Sequence, residues 1–79
     1  MSCTVCTNAV VYIQANPFET YSQVNSYLKN DCKSYGSYSK QCEHILNTYL
    51  PQIYDEAHHP WQTANDICNG DLKLCSDNK

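Results

Sequence analysis

Six cysteines in 79 residues constrain this chain more than any other feature. Cys3, Cys6, Cys32, Cys42, Cys68 and Cys75 form an even set in a chain of under 100 residues, which reads as a disulfide framework. Such a framework meets a physical need. A domain this small buries only ~60% of the surface its unfolded chain exposes, so an apolar core alone is marginal. The hydrophobic fraction of 42% includes seven Tyr and the six Cys, leaving thirteen Val, Ile and Leu with Phe18 and Trp61 as extra bulk. The expectation is one domain over residues 1–79, held partly by covalent ties.

Disulfides require an oxidising compartment, so a secreted protein or one of a lysosomal or vesicular lumen is expected. Met1-Ser2-Cys3 leads straight into patterned sequence, without a basic n-region or apolar h-region. This reads as a mature domain cut from a secreted or vesicular precursor and given its own start codon. The rival is a cytosolic zinc or redox protein. Cys3-x-x-Cys6 suits a zinc knuckle and His58 and His59 are ligand types, but no second tight ligand pair follows. A redox Cys-x-x-Cys would need a preceding strand, and none is visible. No metal and no cofactor are expected. Five Lys, no Arg and a net charge of −3 argue against a nucleic-acid partner, which demands clustered positive charge. No apolar run approaches the ~20 residues of a membrane-spanning helix.

The periodicity is helical throughout, and the fold class is all-α. Cys3, Cys6, Val10 and Ile13 recur at steps of three and four on one face. Asn16-Pro17-Phe18-Glu19 predicts the second helix start, with Asn16 as cap, Pro17 in the first turn and Glu19 reaching back. That helix would carry Phe18, Tyr21, Val24, Leu28 and Cys32 on one face. Residues 33–37 around Gly36 predict a turn. A third helix aligns Cys42, Ile45, Leu46, Tyr49, Leu50 and Ile53, with a kink or break expected near Leu50 because Pro51 lacks a donor. A short last helix is expected over about Trp61 to Cys68, stopped at Asn69-Gly70.

Six cysteines allow fifteen pairings. Cys3 and Cys6 share a helical face and are poorly placed to bond each other. If the first and last helices pack antiparallel, Cys6 can meet Cys68 and Cys3 can meet Cys75. Three helical residues rise ~4.5 Å and seven ~10.5 Å, so the nesting also needs Gly70 to break the last helix. Cys32 and Cys42 would then join the second helix to the third.

The intervals Cys-x2-Cys, x25, Cys, x9, Cys, x25, Cys-x6-Cys resemble those of the saposin-like proteins over essentially the whole chain. Tyr49-Leu50-Pro51 with Ile53-Tyr54-Asp55 is similar to a segment of saposin itself. Pro60, Ile67-Cys68-Asn69 and Leu72-Lys73-Leu74-Cys75 are similar to the family's closing motif. The resemblance implies bridges Cys3–Cys75, Cys6–Cys68 and Cys32–Cys42, with four or five amphipathic helices in two leaves. It also implies leaves that close on a small core or open to offer apolar faces to phospholipid or sphingolipid. The lipid-contacting positions would be Val10, Ile13, Phe18, Tyr21, Val24, Leu28, Ile45, Leu46, Tyr49 and Ile53. A homo-dimer or larger oligomer on opening would be compatible with such faces.

Tyr35, Tyr38 and Trp61, near turns, are candidates for contact at a water–lipid boundary, where amphipathic rings are favoured. Tyr21 and Tyr49 read more simply as core residues. His44, His58 and His59 are candidate pH-responsive groups. Histidine titrates near pH ~6.5, and protonating all three takes the charge from −3 to 0. Binding to anionic membranes is therefore expected to be weak at neutral pH and strong in acid. The competing assignments are solvated positions, His44 on a helix and His58-His59 in a loop. Enzymatic chemistry is not expected: Asp55 and Glu56 are adjacent and face apart on a helix, and bridged cysteines cannot act as nucleophiles.

Within the family, the lymphocyte killing proteins are strongly cationic, whereas this chain has a pI near 5.3. The amoebic pore-formers are more hydrophobic than a mean hydropathy of −0.59 and carry a His near the last cysteine. Here that stretch is Asn69-Gly70-Asp71-Leu72-Lys73-Leu74, without His. The leading expectation is a non-enzymatic protein that perturbs, bridges or extracts lipid at acidic pH. Its rivals are a pore-forming antimicrobial effector, an activator presenting sphingolipid to a lysosomal hydrolase, and an accessory domain of a larger lipid hydrolase.

Overall fold

The first helix, α1 (Ser2–Ala15), buries Val5, Cys6, Ala9, Val10 and Ile13, the face expected from the three-and-four spacing. The computed structural model describes residues 1–75 and is all-α. After α1 come α2 (Tyr21–Cys32), a 3-10 segment (Lys33–Tyr38), α3 (Ser39–Ala57) and a closing π-helix (Asp66–Asp71). Helix α1 packs most extensively on α3, and α2 also packs on α3. The molecule measures 34 × 32 × 18 Å, and its thin dimension is about two helix diameters.

The start of α2 differs from the Asn16-Pro17-Phe18-Glu19 expectation. Asn16 ends α1 instead: its N–H donates to Ile13 O at 3.1 Å and its Nδ2 to Tyr12 O at 2.9 Å. Four residues later Thr20 forms a complete capping box. Its Oγ1 accepts from Gln23 N at 3.2 Å, and Gln23 Oε1 accepts from Thr20 N at 2.8 Å. Glu19 turns to α1, where its carboxylate accepts from Tyr12 Oη at 2.7 and 2.9 Å. Phe18 therefore lies in a loop and not on the apolar face of α2.

Gly36 allows the 3-10 segment to kink, at φ +59°, where an L side chain would be strained even though a Cβ would meet nothing within 4 Å. Helix α3 then runs through Pro51 as one helix, so of the expected kink or break there is no break. Proline deprives the Asn47 carbonyl of a donor, at a typical cost of ~3 kcal/mol. Leu50, Ile53 and Ala57 are all buried, and each large aliphatic contributes ~1.5–3 kcal/mol, so burial of this stripe outweighs the proline.

The closing helix also departs from expectation. Trp61 lies in a turn, and the helical start comes after Thr63. Asp66 N donates to Thr63 Oγ1 and Thr63 N to Asp66 Oδ2, each at 3.0 Å. Gly70 stays within the π-helix, and the left-handed residue is Lys73, at φ +57°. Leu72 N donates to Ile67 O, while Leu74 N and Cys75 N both donate to Cys68 O, at 2.7 and 3.1 Å. This fold-back brings Cys75 level with Cys3 and removes the rise mismatch. The three bridges are Cys3–Cys75, Cys6–Cys68 and Cys32–Cys42, with Cα–Cα distances of 4.6, 5.9 and 5.5 Å. All six sulfurs are used.

Candidate functional site

The bridges divide the molecule into two leaves. Cys3–Cys75 and Cys6–Cys68 tie α1 to the closing segment, and Cys32–Cys42 ties α2 to α3. No bridge joins the first pair to the second. Between them lies one continuous apolar core. Val10 and Ile13 from α1 and Ile67 from the closing helix meet Val24, Leu28, Ile45, Leu46, Leu50 and Ile53 from α2 and α3. Of the ten expected apolar-face residues, seven are buried in this core and Tyr49 is half-buried against it. Phe18 is outside it because it lies in the loop before α2, and Tyr21, at the first position of α2, is exposed. Tyr21 sits edge-on to Tyr54, ring centroids 5.3 Å apart.

Both polypeptide crossings between the leaves, residues 16–20 and 58–65, lie at one end of the molecule. Gln14 Nε2 donates to Ala57 O at 3.2 Å and to Gln62 O at 2.8 Å, pinning the end of α1 to the second crossing. Tyr54 Oη donates to Glu19 O at 2.9 Å. The His58 ring faces two carbonyls, Nδ1 at 2.7 Å from Tyr54 O and Nε2 at 3.1 Å from Pro17 O. A neutral imidazole has one N–H and serves one of them; the protonated ring donates to both. His59 stacks on Trp61, at 5.0 Å and 3°. His44 is exposed on α3, remote from this end. Tyr35 is half-buried, its hydroxyl accepting from Asn8 Nδ2 at 3.3 Å, whereas Tyr38 is exposed. Tyr12 stacks on Tyr27 at 4.0 Å, and its hydroxyl pKa is pushed up to about 12, chiefly by the hydrogen bond to Glu19. That hydroxyl therefore remains a donor between the leaves at any physiological pH.

Sequence reasoning missed one electrostatic feature, the Glu56 and Asp71 carboxyls. Glu56 Oε2 accepts from Gln52 Nε2 at 2.8 Å, while Oε1 is shut off from water without a donor. Hydrogen bonding with Asp71 raises the Glu56 pKa, helped by burial and opposed by Gln52. The two carboxyls can share a hydrogen bond only when one holds a proton. A raised folded-state pKa means that this contribution is complete below the ordinary carboxylate range and is lost as pH rises through the folded value. Glu56→Gln supplies a permanent donor. At pH 7.5 it should raise stability by roughly 0.5 kcal/mol after allowance for solvent screening, with little change at pH 4. Urea midpoints at both values check this, and an unchanged pH dependence in the variant would count against the shared proton. No local signal could have revealed the pair, since only packing of the closing helix on α3 unites it.

Residues 40–75 match the family described as saposin-like type B, region 2. This span covers α3 almost entirely, the second crossing and the closing fold-back through Cys75. No curated protein and no solved structure shows a match to the chain.

Proposed function

We propose that this chain, whose residues 40–75 match the family described as saposin-like type B, region 2, is a lipid-interacting, non-enzymatic protein of an acidic extracellular or vesicular compartment that opens on anionic membranes. There it perturbs, bridges or extracts lipid. The observation that carries this reading is the placement of the bridges: each lies inside a leaf, and the apolar core lies between leaves. Separating the leaves leaves all covalent ties intact. In water, exposing the facing aliphatics would cost on the order of 10 kcal/mol, so the closed form dominates. Lipid chains recover that cost, which makes a bilayer the natural trigger.

Acid acts through charge. The net charge of −3 opposes approach to anionic lipid, and protonation of His44, His58 and His59 brings it to zero. Co-sedimentation with anionic vesicles should be weak at pH 7.5 and strong at pH 4–5. Leakage of a trapped dye and lipid mixing, recorded together against pH and anionic-lipid content, separate the modes of action. Equal binding at both pH values would falsify the acid dependence. Binding without leakage or mixing would favour simple lipid extraction.

A further inference from the structure

The only Phe and the only Trp of the chain are its two most exposed large apolar residues among those described, Phe18 at 98% and Trp61 at 75%. A chain with thirteen large aliphatics has every reason to bury such rings. Each forgoes ~1.5–3 kcal/mol of burial by standing in water. They stand on different loops at the same end. Pro17 and Pro60, their chain neighbours, line one cleft of about 380 Å³ with Gln14, Ala57 and His58. The loops are held in place by side chains set against backbone carbonyls, the His58 ring against Pro17 O and the Gln14 amide donating to Ala57 O and Gln62 O. The rings are thus displayed on a fixed support.

The geometry points to this end as the docking surface of the closed protein, with an anionic lipid bilayer as its occupant. Phe18 and Trp61 would enter the headgroup–acyl boundary, a region that favours aromatic rings. The charges around them suit that partner in acid. His58 and His59 flank the rings and supply positive charge when protonated. The nearby carboxylates Glu19, Asp55, Glu56, Asp66 and Asp71 oppose an anionic surface while they are charged; of these the Glu56 pKa is raised, chiefly by hydrogen bonding with Asp71, so its charge is the more readily lost in acid. The described lysines lie elsewhere, Lys29, Lys33 and Lys40 on α2, the 3-10 segment and α3, and Lys73 after the closing helix. The two ring-bearing loops are also the two crossings between leaves, so insertion acts directly on the hinges. This inference rests on the lipid reading above, but it concerns first contact rather than opening.

The test uses the full chain and vesicles of phosphatidylserine and phosphatidylcholine at pH 4.5. Phe18→Ser, Trp61→Ser and the double variant are compared with Val11→Ser, which removes a 59%-exposed apolar side chain on α1, outside both loops. All three side chains are largely in water, so thermal midpoints should stay close to wild type. The double variant should partition at least about tenfold more weakly, Val11→Ser within about twofold. Emission of Trp61, the sole tryptophan, should shift to the blue on binding and be quenched by brominated lipid. Wild type that binds while the double variant binds equally overturns this inference alone, as does unshifted Trp61 emission in bound protein. A solution dimer lost in the double variant would assign the surface to a second copy. Wild type that binds no vesicle overturns both readings.

Discussion

Removing Cys6–Cys68 by the paired substitution Cys6→Ala and Cys68→Ala should cost about 3 kcal/mol, and removing Cys3–Cys75 as well should cost about 7 kcal/mol in total. The inequality follows from nesting. The two bridges span sequence separations of 62 and 72 residues around the same chain. With either one present, the other closes only a small ring, residues 3–6 with 68–75, of roughly a dozen residues in the chain-entropy relation. Losing both releases the whole intervening loop. Domain stabilities are typically about 5–15 kcal/mol, so either single loss should leave a folded, weakened protein and the double loss an unfolded one. Urea midpoints on the three variants decide this. Additive effects, or a folded protein without either bridge, would show that the apolar core alone holds α1 to the closing segment.

Leu46→Ala should lower stability by about 2–5 kcal/mol yet make the protein more active on vesicles. Leu46 is fully buried in the core between the leaves. In the closed form its truncation loses transfer energy and also leaves a cavity that the rigid surroundings cannot fill. In the open form the same position faces fluid acyl chains, which leave no void, so only the transfer loss applies. The difference shifts the population toward the open form. If the cavity part is about 1.4 kcal/mol, half-maximal leakage at pH 4.5 should need about tenfold less protein. Leakage that falls in step with stability would argue that the leaves act on lipid without parting.

Much of the core was legible before any coordinates. Val10, Ile13, Val24, Leu28, Ile45, Leu46 and Ile53 fall on helical faces because a 3.6-residue period is a local property of the chain. The places where expectation failed are those where two local solutions competed. Asn16 and Thr20 both begin acceptable helix-start sequences. Thr20 prevails because Glu19 is engaged by Tyr12 on α1 and Asn16 caps the end of that helix. Pro51 signals a break by its own chemistry, and the buried stripe of Leu50, Ile53 and Ala57 carries α3 through it. Gly70 is the better left-handed residue in isolation, but the fold-back that brings Cys75 to Cys3 turns at Lys73.

From the amino-acid order alone came the helical class, the interval pattern of the cysteines and the apolar stripes, since each depends on neighbours within a few turns of chain. Only the folded arrangement decided that the sole Phe and Trp share one exposed end with both crossings, and that Glu56 meets Asp71. Those outcomes depend on contacts between residues far apart in sequence. Such contacts exist only once the helices have docked.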